Sequence, residues 1–288
     1  MVFTTIQSGK VDVSDLDYLE QARVGHPQLA DEDAYIIELV KRRAGELQRP
    51  LRVFSLHGRT GVFAGKLFAA LPEIELVVQE RHATAVKQLN ARFANTSVKV
   101  FPKAFEEWNE PVDVLISKGI HHHVPRGYLD HVQKLLGPEG ILILSDEFCP
   151  EYCFDHYAER IANAKQLYLA GGYVLTTDEE IAAYEKDGEI APIAQQMELA
   201  RQKTLWTWYK YVVDYAMERN CLNVAVEELR AAEEDLQTKN SFEHKLSPMI
   251  VERELELHGY VQRSKYCVAP DEPIKYQSFF VYEYSPKA

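Results

Sequence analysis

The stretch VDVLISKGIHHHVPRGYLDHVQKLLGPEGILILSDE (112–147) decides how the chain is read. VDVLIS (112–117) is a short apolar run suited to a buried strand. YLDHVQKLL (128–136) reads as a helix, GPEG (137–140) as a turn, and ILILSD (141–146) as a second buried strand. A strand, a helix and a second buried strand in that order form a crossover between parallel neighbours.

The same rhythm precedes this stretch. LRVFSL (51–56), IELVVQE (74–80) and SVKVF (97–101) are strand-like, and GVFAGKLFAAL (61–71) and ATAVKQLNARFA (83–94) are amphipathic helices between them. Further upstream, residues 14–48 read as helical, with Ser14 and Asp31 as candidate caps and Pro50 as the stop. Ala34, Ile37, Leu39 and Val40 mark the apolar side of the second of these helices, and Arg42, Arg43 and Glu46 its wet side.

After Asp146 the alternation breaks. Residues 151–245 look almost wholly helical and rich in Tyr, Ala and Glu. The βα pattern returns in SPMIVERELELHG (247–259), with Ser247 as cap and Gly259 as stop. YVQRSKYCVA (260–269) and SFFVYEYS (278–285) follow as an antiparallel pair at a sheet edge. The expected fold is α/β: a doubly wound, mostly parallel seven-stranded sheet with an N-terminal helical segment and a helical insertion after the fifth strand. The expected divisions are a helical cap over 1–48, a core over 49–150 and 246–288, and an inserted lid over 151–245.

The 288 residues suffice for one large domain or a core with an attached subdomain. At 46% hydrophobic and 26% charged, the composition is that of an ordinary globular protein. No apolar run is long enough to span a bilayer, and MVFTTIQSGKVDV lacks the features of a signal peptide, so a cytoplasmic location is expected. A net charge of −12 argues against broad nucleic-acid binding. Cys149, Cys153, Cys221 and Cys267 are too few and scattered for a disulfide framework.

Residues 112–147 resemble the fourth strand, HH segment, helix, turn and fifth strand of class I S-adenosylmethionine-dependent methyltransferases. LRVFSLHGRTGVFAGKLFAALPEIELVVQE (51–80) is similar to that family's first strand, phosphate-loop analogue, first helix and acid-ending second strand. The ending, LELHGYVQRSKYCVA…FFVYEYS, is also typical of the fold. The resemblance implies S-adenosylmethionine as cofactor, and a helical cover above the strand ends favours a small, partly aromatic or apolar molecule as methyl acceptor. It places Ser55, His57, Gly58 and Gly61 in the first turn, Glu80 and Arg81 at the ribose, Lys103, Ala104 and Phe105 near the adenine, and Ser117 at the end of the fourth strand. The family's first-turn pattern is roughly acid-x-Gly-x-Gly-x-Gly. Here the aligned positions read Ser55, His57, Arg59 and Gly61, with Gly58 out of register, so the close approach of a cofactor is either blocked or rebuilt. His57, Arg59, Arg81 and Lys103 would make the cleft more basic than usual, which suits an anionic ligand.

His121, His122 and His123 follow the fourth strand, and Asp146 and Glu147 end the fifth, so imidazoles and carboxylates can converge over neighbouring strands. A histidine titrates near neutrality and can deprotonate a hydroxyl or amine before methyl transfer. His122 or His123 is the first choice of base and Glu147 the next, with Asp146 facing the acceptor. No metal is assigned.

In QKTLWTWYKYVVDYAMERN (202–220), Leu205, Trp206, Tyr209, Val212, Val213, Ala216 and Met217 form one apolar stripe at about 100° per residue. Trp208, Tyr211 and Tyr215 form a second, which is expected to face the substrate or a second copy of the chain in a homodimer. Two further readings stay open: the same fold repurposed as a lyase, cyclase or isomerase, and a non-catalytic partner subunit.

Overall fold

The computed structural model describes residues 27–124, 127–148, 209, 213–222, 225–226, 229, 248–272 and 277–287. Its elements are α1 (Pro27–Leu47), β1 (Arg52–Leu56), α2 (Val62–Ala70), β2 (Glu75–Gln79), α3 (Ala83–Arg92), β3 (Lys99–Phe101), β4 (Val112–Lys118), α4 (Tyr128–Leu135), β5 (Leu136–Glu147), α5 (Pro248–Leu257), β6 (Tyr260–Cys267) and β7 (Phe279–Pro286). The seven strands form one sheet in the order β3-β2-β1-β4-β5-β7-β6. β1 to β5 are parallel, whereas β7 lies antiparallel between β5 and β6.

Alternation along each strand divides the apolar residues between two faces. Phe54, Leu115, Leu142 and Tyr284 pair in sequence across β1, β4, β5 and β7 and meet α4 and α5 on one side. Val53, Val114, Ile141 and Val281 take the other side, under α1, α2 and α3. A fully buried side chain of this kind contributes about 1.5–3 kcal/mol, so neither layer is dispensable.

Several local expectations change. α1 starts at Pro27, so Asp31 lies inside the helix and not at its cap. Ile36, not Ala34, turns to the core, and Arg43 is buried because it reaches across to donate to the carbonyl of Glu139. GPEG is not a separate turn but part of β5. Val112 pairs with Leu136 and Val114 with Ile141, so residues 137–140 bulge out of register. Gly259 ends α5 as expected, with a left-handed φ of 75°. Ser14, Ser247 and most of 151–245 lie outside the described residues.

The N-terminal half of α1 reaches the carboxyl ends of the strands. Buried Glu32 accepts from Lys118 of β4 and from the Ser145 hydroxyl of β5. Asp33 lies 3.3 Å from Lys118 and 2.6 Å from Lys66 of α2. Burial works against the Lys118 charge, but the two carboxylates outweigh it and raise its pKa above the ordinary lysine value. Removing one partner of such a cluster leaves an uncompensated buried charge. Lys118→Met should therefore lower the unfolding free energy by about 3 kcal/mol, and Lys118→Met/Glu32→Gln should recover part of that loss. Urea unfolding of the two variants measures both, and equal losses would show that the pair is not coupled.

Candidate functional site

The strand order reverses between β1 and β4, so the crevice at their carboxyl ends is where a doubly wound sheet takes its ligand. Leu56 and Ser117 are the last paired residues there. Residues 57–61 leave one lip and residues 119–123 the other. Gly119 has a φ of 60° and, among the described residues, nothing within 4 Å of where a Cβ would stand, so the end of β4 borders open space.

The first lip runs through the positions where the expected glycines are missing. His57, Arg59 and Gly61 have φ values of 52°, 46° and 85°. The three positions aligned with the family's glycines thus all take the left-handed conformation, although two carry bulky side chains that ordinarily avoid it. Gly58, the residue out of register, is small for another reason. A Cβ there would stand 2.0 Å from Cγ1 of Val78, because the turn rests directly on β2.

Glu80 directly follows β2 and is buried at 3% exposure, not solvated. Its Oε2 accepts the Arg59 N–H at 2.9 Å, and its Oε1 accepts those of Arg81 and His82 at 2.7 and 2.9 Å. Nδ1 of His57 lies 3.7 Å from Oε2. Burial opposes the charge, but the His57 imidazole and the backbone donors prevail and hold the carboxyl down to about 2. A carboxylate offers about four lone-pair directions; three backbone N–H groups take three of them, and the His57 imidazole faces Oε2.

Of the other residues expected near a cofactor, Ser55 and Ser117 are buried. The Ser117 hydroxyl lies 3.4 Å from the Tyr128 hydroxyl. Arg81 is exposed. Lys103 is also exposed and lies 3.6 Å from Glu107. Ala104 is half-buried. Phe105 packs into the core against Phe54, with ring centroids 5.5 Å apart.

On the second lip, residues 121–123 make a short helical turn. His122 and Asp146 come together as expected. Nδ1 of His122 lies 2.7 and 2.8 Å from the two Asp146 oxygens, and the His122 backbone N–H donates to the same carboxylate at 3.2 Å. Asp146 also accepts the backbone N–H of Glu147 at 2.9 Å. Asp146 therefore grips His122, a partnership the sequence only suggested by proximity. His123 is exposed and its ring lies 3.8 Å from that of His122.

Sequence reasoning missed the third histidine's role. His121 is buried, with Nδ1 2.7 Å from the Tyr128 hydroxyl and Nε2 3.0 Å from Glu254 of α5. Glu254 is separated from His121 by 133 positions and sits in an unremarkable acidic helix, so no local signal pointed to it. Among the described residues, no group of three or more His, Cys, Asp and Glu side chains could hold a metal ion.

Tyr215 is buried at 2% exposure, with the Arg219 guanidinium 3.8 Å above its ring. Tyr209 and Ala216 of the other stripe are buried too, but Met217 is exposed at 54%. Trp208 and Tyr211 lie outside the described residues.

No protein-family model matches the chain, and no curated protein does. Solved structures do. The CurJ carbon methyltransferase aligns at a TM-score of 0.50 and 12% identity, over 89% of this chain and 54% of that one. The mitomycin 7-O-methyltransferase MmcR aligns at 0.44 and 11%, over 83% and 49%. The N-methyltransferase NodS from Bradyrhizobium japonicum WM9 aligns at 0.44 and 8%, over 92% and 99%. The chain thus spans about half the length of MmcR and CurJ. Together with the strand order, the CurJ alignment establishes the fold: it is that of the class I S-adenosylmethionine-dependent methyltransferases. Among the described residues, no helix is long and apolar enough to cross a membrane.

The depressed pKa of Glu80 makes the first lip acid-sensitive. Its contribution is full above the ordinary value of 4.5 and is lost as pH falls towards 2. The shift corresponds to about 3 kcal/mol at neutral pH. The difference in unfolding free energy between wild type and Glu80→Gln should therefore shrink as pH is lowered from about 5 to about 2.5. A constant difference would show that the Glu80 charge is not what the turn depends on.

Proposed function

We propose that the protein transfers a methyl group from S-adenosylmethionine to a small, partly aromatic or apolar molecule. The observation that carries this reading is the backbone at residues 57, 59 and 61, left-handed at all three positions that the resemblance aligns with glycines although only one of them is glycine. Glu80, ionised and buried beside that turn, would accept from a ribose hydroxyl at Oε2, the oxygen the His57 imidazole faces. The 58–61 turn would face the methionine part, and Lys103, Ala104 and the end of β4 at Ser117 would border the adenosine. The bound cofactor supplies an electrophilic methyl on a sulfonium.

The chain's own contribution is orientation and a base. With Nδ1–H donating to Asp146, the His122 lone pair resides on Nε2, and that atom is assigned as the proton acceptor from the nucleophile. Asp146 fixes the tautomer and stabilises the imidazolium that forms. Glu147 and His123 flank this pair and are the alternative proton acceptors. Trp208, Tyr211 and Tyr215 remain assigned to the acceptor side through the inserted segment, where a lid would exclude water.

The competing reading, the same fold used for a lyase, cyclase or isomerase reaction, draws on the three backbone N–H groups that already occupy Glu80. Calorimetric titration separates the two. S-Adenosylmethionine and S-adenosylhomocysteine should both bind, and Glu80→Ala should weaken both by tenfold or more, about 1.4 kcal/mol. Failure of a folded wild-type protein to bind either compound overturns the cofactor assignment.

His122→Ala and Asp146→Asn should lower the rate of methyl transfer to small phenolic acceptors by about 10²–10⁴-fold, with S-adenosylhomocysteine affinity changed by less than about threefold. An unchanged rate in His122→Ala would move the base to Glu147 or His123.

A further inference from the structure

We propose that Gln79 is a positioning residue that holds the first turn in the glycine-like path His57 and Arg59 would otherwise leave, and ties that turn to the loop after β3. The link to ligand binding rests on the cofactor reading above; the conformational role does not.

Gln79 ends the run LVVQ and is buried at 1% exposure. A buried primary amide is costly unless both of its ends are bonded. Here both are. Oε1 accepts the His57 N–H at 3.2 Å, and Nε2 donates to the Lys103 carbonyl at 2.9 Å. A backbone N–H can only donate and a carbonyl can only accept, so the amide has one orientation. The Gln79 carbonyl accepts the Gly58 N–H at 2.7 Å. Arg59 donates to Glu80 at 2.9 Å, and the Glu80 N–H is held by the Phe101 carbonyl at 3.1 Å. Three consecutive N–H groups of the turn, at 57, 58 and 59, therefore all end on residues 79 and 80.

That arrangement answers a problem the sequence poses. A non-glycine residue in the left-handed region costs about 1 kcal/mol or more and persists only where its surroundings over-determine it. His57 and Arg59 both lie there, one residue apart. With glycine at both positions the conformation would need no support. With His and Arg it does, and Gln79 supplies it at His57 as Glu80 does at Arg59. The second bond, to Lys103, makes one side chain set the turn after β1 relative to the loop after β3, the two segments that border β2.

The test is a comparison of Gln79→Leu and Gln79→Glu in two backgrounds, wild type and His57→Gly/Arg59→Gly. Gln79→Leu loses both bonds. Gln79→Glu keeps an acceptor for His57 and sets a carboxylate oxygen against the Lys103 carbonyl, so it guards against a Leu variant that fails to fold. The readouts are amide hydrogen exchange at residues 57–59, with β4 amides as internal control, and the dissociation constant of S-adenosylhomocysteine. In the wild-type background, Gln79→Leu should speed exchange at 57–59 by about tenfold or more and weaken S-adenosylhomocysteine by a similar factor, leaving β4 unchanged. In the glycine background, the same substitution should change either quantity by less than about threefold. Gln79→Glu should fall between the two. Equal effects in both backgrounds, or no change at 57–59, would overturn the proposal, because a residue that merely packs is indifferent to whether position 57 is glycine. If exchange behaves as expected while no variant and no wild type binds S-adenosylhomocysteine, the positioning role stands and the cofactor assignment fails.

Discussion

The turn after β1 has to climb over the end of β2, and it can do so only where its N–H groups find acceptors below. They find them in two consecutive side chains and one carbonyl, at Gln79 and Glu80. Everything at the crevice follows from that grip. It allows His57 and Arg59 to stand where glycine would be easier, and it requires Gly58 to be bare against Val78. It also keeps a carboxylate ionised in a place where burial opposes the charge. A buried charge that organises backbone is rigid in a way an apolar contact is not, since its donors are directional and its desolvation is recovered only when all are present.

The opposite lip is organised by the same logic with different parts. Asp146 collects two backbone or ring donors from His122 and one from Glu147, while His121 runs between Tyr128 and Glu254. Consecutive histidines in a short helical turn project in different directions, so one can be structural, one can face the acceptor side and one can be exposed. That separation of roles is a consequence of turn geometry and not of residue type.

The sheet was legible in the sequence because its central strands are compact apolar runs between turn residues, and because alternation of strands and helices admits few topologies. The last two strands were legible as an antiparallel pair at a sheet edge, but not which of them lies inside. At the site, Glu80 was visible as an acid closing an apolar strand run, and His122 and Asp146 because they follow or close β4 and β5, strands that must be neighbours. Gln79 left a trace, a polar residue closing the apolar run LVV, that went unread because one polar residue at a strand end is common. Glu32 and Glu254 were not legible at all. Both are acids in ordinary helices, and what makes them matter is a partner more than eighty residues away.

The place of β7 has a consequence for synthesis. Because β7 sits between β5 and β6, the edge of β5 stays open and β6 has no neighbour in the sheet until residues 279–286 have left the ribosome. For that interval the backbone N–H and C=O groups of Leu142–Glu147 that later pair with β7 lack their sheet partner, the kind of edge that invites pairing with another chain. The completed sheet hides this history, leaving only β3 and β6 as its borders.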